Sequence, residues 1–170
     1  MDISLLQVLR FVHIVSASFW VGCAVTLGFF VNPALLNGEI GGARTLKSLM
    51  LGRKLGTWLP IAVLVALASG IWLYRIDFTQ MSGGTFTKRQ LDYTLGAFLG
   101  VLAFIVGVSI NLPTGGKIAA LADFVGTGTP TADQSNELVR LSKKLIVATR
   151  STAILTLGAA GLMALARFAQ

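Results

Sequence analysis

The sequence is poor in the side chains on which most soluble enzymes depend. Of its 170 residues, only one is histidine, one is cysteine and seven are aspartate or glutamate. A disulfide framework needs several cysteines and a disordered chain has few large apolar residues, so both classes are excluded. Charged residues make up 12% of the chain and hydrophobic residues 54%, compared with about 25% and about 45–50% in an average soluble domain. The composition therefore indicates an integral membrane protein.

Acidic residues are absent from the apolar segments. This absence excludes a paired-carboxylate site, a Ser-His-Asp relay and an acidic proton relay at membrane depth. One histidine and one cysteine also cannot supply the three protein ligands of a catalytic zinc site. No phosphate-binding Gly-Lys-Ser/Thr loop is present. We therefore expect a protein that is not an enzyme.

Four apolar blocks are long enough to cross a bilayer. They cover about residues 5–31, 57–74, 93–112 and 145–166, and a crossing needs about 20 apolar residues in a helix. Backbone groups in lipid must be hydrogen-bonded within the segment, and the blocks lack the alternation of a barrel strand, so each is predicted as a helix. The sequence predicts an all-α, up-down-up-down four-helix membrane bundle that forms one domain over residues 1–170. The first block is too long for a signal peptide and is kept as a mature helix.

Positive charge is distributed unequally between the two ends of the blocks. The connections after the first and third blocks hold eight Lys or Arg: Arg44, Lys47, Arg53, Lys54, Lys117, Arg140, Lys143 and Lys144. The opposite side holds five: Arg10, Arg75, Lys88, Arg89 and Arg167. The positive-inside rule then predicts both termini on the non-cytoplasmic side. The net charge of +7 suits anchoring to anionic lipid and, without basic clusters beside stacking aromatics, does not indicate nucleic acid as a partner.

Local signals predict the connections. Residues 43–51 have an apolar and a basic face and are predicted as an interfacial helix. Thr131 and Gln134 have the spacing of a capping box, so the fourth helix should begin near Ala132 and project from the membrane. Turns are predicted at residues 83–84, 113–116 and 126–130. Small residues at four-residue spacing, such as Ala24 and Gly28 or Gly96 and Gly100, predict close helix packing, and no internal repeat is evident beyond the four blocks.

His13 is the candidate functional residue. Arg10, His13, Ala17 and Trp20 share one face of the first helix, which begins near the predicted non-cytoplasmic surface. An imidazole there suits haem iron or copper, with Met163 as a second ligand from the same leaflet. The alternative is a structural histidine that is hydrogen-bonded to a neighbouring helix. For a ligand, the other ring nitrogen needs an acceptor, which we expect from another helix near the outer surface; Arg10 would meet a haem propionate.

The first block resembles a known family. Residues 9–22 (LRFVHIVSASFWVG), followed by residues 31–35 (VNPAL), resemble the first helix of bacterial copper-resistance protein D-like membrane domains, which carries an Arg, a Leu-His pair, a Trp-Xaa-Gly and a later Pro-Ala-Leu. Residues 68–74 (ASGIWLY) and 163–168 (MALARF) resemble a related four-helix integral membrane family. Haem-binding membrane protoporphyrinogen oxidases resemble the chain less. They also carry a His seven residues before a Trp, but they place a Pro-Arg soon after the Trp, whereas Pro33 here follows Trp20 by thirteen residues. The chain also has no counterpart of their second conserved site.

The resemblance implies a bacterial inner-membrane or intracellular-membrane protein that handles a metal or tetrapyrrole, with His13 as the matching histidine. Our first hypothesis is therefore a small non-enzymatic membrane protein that binds haem b or copper through His13. The second is an accessory or assembly subunit of a respiratory or photosynthetic complex, with His13 structural or pigment-binding. A haem-dependent membrane oxidase is third. The expected partners are the lipid bilayer and other membrane subunits or a second copy, which would supply a second His13.

Overall fold

The computed structural model describes residues 3–80, 87–126 and 128–168, and of residues 3–4 and 77–80 the backbone alone. These parts are helical and contain no strand, which confirms the all-α prediction. The α-helices are α1 (Ile3–Val25), α2 (Asn32–Leu35), α3 (Ile40–Lys47), α4 (Leu55–Gln80), α5 (Lys88–Val106), α6 (Leu112–Val125) and α7 (Ala132–Ala166). Three π-helical stretches join them: Thr26–Val31, Ser48–Gly52 and Gly107–Asn111.

Within the described residues, four helical segments are long and apolar enough to cross a membrane, so the chain has the character of a multi-pass membrane protein. These spans are Leu5–Leu35, Leu55–Ile76, Lys88–Val125 and Ala132–Ala166. The first and third spans each run through a π-helical stretch without a break. All four extend beyond the apolar blocks of the sequence, because polar and basic residues continue the helices outside the apolar region.

The turn predicted at residues 113–116 is wrong. The third span continues as α6 through Pro113, which occupies the first turn of that helix, directly after the π-helical stretch. A proline is tolerated there because its missing N–H is not needed in a first turn. The turn predicted at residues 126–130 is confirmed at Gly126, which has a positive φ of 55°. The turn predicted at residues 83–84 lies outside the described residues.

The spans pack in the order second, first, fourth, third. The fourth helix, α7, lies against both α1 and α5, while α1 also lies against α4. A cluster around Trp20, Val63, Ala66 and Ala103 forms the core between the spans. Trp20, which the sequence places on one face of the first helix with His13, is buried. Ser16, four residues before Trp20, is also buried.

A second core lies at the end of the bundle where the first and third spans finish. Its buried residues are Leu36, Ala43, Leu46, Ile118, Ala122, Leu138, Leu141 and Leu145. We call this region, formed by α3, α6 and the start of α7, the head. The helix predicted at residues 43–51 is present as part of α3 and its π-helical extension, and its apolar face packs on α6. The capping box at Thr131 and Gln134 is also confirmed, and an equivalent box at Thr87 and Gln90 begins α5.

Close approach between helices occurs at some of the predicted small residues. A Cβ added at Gly28 would lie 2.8 Å from the Thr149 carbonyl oxygen, and one at Gly96 would lie 3.0 Å from Met163 Cγ. Both glycines are therefore at helix contacts. At Gly100 an added Cβ would meet no atom within 4 Å, so the predicted contact there is wrong. Gly100 is one turn beyond Gly96, and a helix of 3.6 residues per turn carries it off the contact line.

Candidate ligand site at His13

His13 is held on α1 by a hydrogen bond to the neighbouring helix α4. Its Nδ1 lies 2.9 Å from the backbone carbonyl oxygen of Ala66 and 3.3 Å from Ser69 Oγ. A carbonyl oxygen only accepts, so this bond requires the proton on Nδ1 and leaves a lone pair on Nε2 when the ring is neutral. The acceptor expected from another helix is therefore present. Ser16, on the same helix, donates instead to the Val12 carbonyl at 2.7 Å.

Gly70 makes room for the imidazole. A Cβ at this position would lie 2.8 Å from His13 Cε1 and 3.2 Å from Nδ1. A Cβ contact of 2.8 Å is essentially never seen in proteins, so a larger residue at position 70 would displace the ring or the helix. Ser69 adds a second restraint, because its hydroxyl donates to the Val65 carbonyl at 2.6 Å and its oxygen is left facing Nδ1. The orientation of the ring is thus fixed by one turn of α4.

The depth of His13 differs from the expectation. Ala66 is the twelfth of the 22 residues in the second span, so the hydrogen bond places His13 level with the middle of that span. The helix α1 begins at Ile3, and the ten residues that precede His13 extend about 15 Å, half of a hydrocarbon core. His13 therefore lies deeper in the bundle than its distance from the N-terminus indicated.

Met163 lies at the same level on another helix. Gly28, in the π-helical stretch that continues α1, packs on Thr149 of α7, and the first and fourth spans run in opposite directions. His13 is fifteen residues before Gly28 in the first span, and residue 164 is fifteen residues after Thr149 in the fourth. His13 and Met163 therefore lie about equally far from the contact between Gly28 and Thr149. Met163 is half-buried and packs against Gly96 of α5, whereas the polar contacts of His13 are on α4.

Arg10 and Cys23 lie away from His13 along α1, in opposite directions. Arg10 is exposed and lies one helical turn from His13 toward the N-terminus. Cys23 is a free, half-buried thiol, ten residues or about 15 Å along α1 from His13. Within the described ranges, no group of three or more His, Cys, Asp or Glu side chains is arranged to hold a metal. His13 contacts α4 and Met163 contacts α5, so the structure places the two side chains at one level without joining them in one site.

A second polar cluster, which the sequence analysis missed, joins the first and third spans to the fourth. Asn32 Nδ2 donates to Thr149 Oγ1 at 3.2 Å, and Asn111 Nδ2 donates to Thr152 Oγ1 at 3.0 Å. Each threonine hydroxyl in turn donates to a carbonyl of its own helix. Asn32 is only 2% exposed. These side chains form a polar seam along α7, and such bonds hold helices together inside a bilayer.

A short repeat in the amino-acid sequence could have indicated this polar seam. Gly28 and Asn32 are four residues apart, as are Gly107 and Asn111, and a proline follows within two residues in both cases. Both segments are π-helical and end at or directly before the asparagine. The first and third spans therefore share a local design, which the hydrophobic pattern alone did not reveal.

Comparison with known proteins gives no relative from which to assign these residues. No protein-family model, no curated protein and no solved structure matches the chain.

Proposed function

We propose that the protein is a small, non-enzymatic integral membrane protein that binds haem b or copper through Nε2 of His13. The observation that carries this proposal is the 2.9 Å hydrogen bond between His13 Nδ1 and the Ala66 carbonyl oxygen. A ligating histidine nearly always donates its other ring N–H to such an acceptor, which fixes the tautomer and makes the free nitrogen a better ligand.

Two further residues would contribute to binding. Met163, at the level of His13, supplies a soft thioether of the kind that pairs with histidine on haem iron or on copper. Arg10 would provide a guanidinium for a haem propionate, which it can contact through two parallel hydrogen bonds. Haem or copper would supply electron transfer or metal carriage when bound, and the chain's own residues would orient the ligand and exclude water.

The proposal also assigns an orientation in the membrane and a cellular location. The excess of Lys and Arg around the head supports a cytoplasmic head and termini on the opposite side. Together with the resemblance to copper-resistance protein D-like domains, this favours the bacterial inner membrane or an intracellular membrane. The lipid bilayer is the immediate partner, and a second copy of the chain would supply a second His13 if the ligand were shared.

A second candidate is an accessory or assembly subunit of a larger respiratory or photosynthetic complex. The observation that favours it is the same hydrogen bond, because a histidine bonded to the adjacent helix already has a structural role without any ligand. A haem-dependent membrane oxidase stands third, since it would need catalytic groups in addition to the haem ligand.

The experiment that separates these functions compares three variants after expression with added haem and copper. His13→Ala should lose the visible absorption or the bound copper, and added imidazole should restore part of it. Met163→Leu should shift the spectrum or weaken retention, whereas Cys23→Ala, a control on the same helix as His13, should leave both unchanged. Equal ligand content in His13→Ala and the wild type would exclude His13 as the ligand.

A further inference from the structure

An apolar groove runs along the face of the α1–α4 pair. It has a volume of about 580 Å³, and its walls are side chains of α1 from Phe11 to Phe19 and of α4 from Leu55 to Val65. Arg53 lines one end, and it is the only charged side chain among the described residues of the wall. His13 is not among the lining residues, so the groove is separate from the candidate ligand site.

The dimensions of the groove match part of one leaflet. Its wall on α4 runs from Leu55 to Val65, ten helical steps that rise about 15 Å, about half the thickness of a hydrocarbon core. Phe11 is 67% exposed and Trp58 is 60% exposed, and exposed apolar side chains of this size on a spanning helix face lipid. The groove therefore offers an apolar channel that begins near the head and ends close to mid-bilayer.

Arg53 provides an unpaired positive charge where the groove begins. Elsewhere in the head, Lys47 pairs with Asp123 and Arg44 donates to the Gly126 carbonyl. Arg53 is exposed, and within the described residues its guanidinium has no hydrogen bond or ion pair. Lys54, with a positive φ of 57°, forms the turn between the π-helical stretch and α4, and this turn sets Arg53 beside the groove.

We propose that this groove binds one acyl chain of a phospholipid with an anionic headgroup, and that Arg53 binds the headgroup phosphate. The apolar walls suit the chain, and the planar guanidinium suits two phosphate oxygens at once. A single cation at the membrane surface favours anionic over neutral lipid by about fivefold. A lipid suits this site better than a protein helix does, because an unpaired Arg53 lies at one end of an apolar groove that is about one leaflet deep.

The test measures lipid retention by native mass spectrometry of the full chain in detergent, titrated with phosphatidylglycerol or phosphatidylcholine. Arg53→Gln should reduce the preference for phosphatidylglycerol by about fivefold. Lys143→Gln removes the same charge from an exposed site on the head that does not line the groove, and it should leave the preference unchanged. Ala62→Phe should fill the groove and lower retention of both lipids, whereas Leu64→Phe, outside the groove on the same helix, should not.

Several results would overturn the proposal. Equal losses in Arg53→Gln and Lys143→Gln would assign the preference to diffuse charge. Unchanged retention in Ala62→Phe would show that the chain binds elsewhere. A wild-type spectrum dominated by lipid-free dimers, dissociated by Ala62→Phe, would identify the groove as an interface between copies.

Discussion

The imidazole of His13 and the backbone carbonyl of Ala66 join the first two spans through a hydrogen bond of 2.9 Å. Buried polar bonds between membrane helices contribute about 0.6 kcal/mol on average, so this bond is modest as a source of stability. Its larger effect is on orientation, because it selects one tautomer and one ring position. This relationship leads to predictions about the ring, the seam, the packing and the topology.

Gly70→Ala should displace the His13 ring. The added Cβ would lie 2.8 Å from Cε1, and relief of such overpacking typically costs about 1–3 kcal/mol. We expect a lower melting temperature in detergent and a weaker or altered ligand spectrum. Gly22→Ala, where an added Cβ meets no atom within 4 Å, is the matched control on α1. Equal melting of the Gly70→Ala variant and the wild type would show that the ring is free to move.

Gly28→Ala should destabilise the contact between the first and fourth spans. Its Cβ would lie 2.8 Å from the Thr149 carbonyl oxygen and 3.0 Å from the carbonyl carbon. A backbone carbonyl cannot relieve this clash by changing rotamer, as a side chain can. We expect a loss of about 1–3 kcal/mol, measured by denaturation in mixed micelles. Gly100→Ala should be neutral, because the space around it is open. If both variants lost stability equally, the close approach at Gly28 would be in error.

A double-mutant cycle should detect the polar seam. Asn32→Ala and Thr149→Val each remove one partner of the buried amide–hydroxyl bond. We expect the double variant to be less destabilised than the sum of the single variants, with a coupling energy of about 0.6 kcal/mol and at most about 1.7 kcal/mol. Strict additivity would mean that the two side chains do not interact in the membrane.

Reporter fusions should reveal the orientation of the spans. A fusion after Gly126, in the connection that contains the head, should give a cytoplasmic signal, and a fusion after Gly83 should give a non-cytoplasmic signal. The reason is the excess of basic residues on the head side. Reversed signals at either position would overturn the proposed orientation.

The four spans could be predicted from the sequence because apolar length is a strong signal that depends on local composition alone. Capping at Thr131 was predictable for the same reason, since its partner Gln134 is three residues away. The continuation of the third span through Pro113 was not, because the effect of a proline depends on its position within a helical turn. The π-helical stretch before it is not marked by apolar length, and its sequence signal is the four-residue spacing of Gly107 and Asn111 that repeats Gly28 and Asn32.

The candidate site was predictable only in part. The shared face of His13 and Trp20 follows from helical periodicity. The identity of the acceptor, Ala66, depends on which helices are neighbours and on their vertical register, and neither is encoded in spacing along one helix. The seam of Asn32 and Asn111 was missed because a polar residue near a span end looks like a boundary until its partner on α7 is known.

The visible spectrum and the iron and copper content of the wild-type protein, purified in mild detergent from haem- and copper-replete cells, test the central claim most directly. The account predicts a Soret band or stoichiometric copper that is lost in His13→Ala while the helical content is retained. A colourless, metal-free wild-type protein would contradict it and would leave His13 as a structural residue of an accessory subunit.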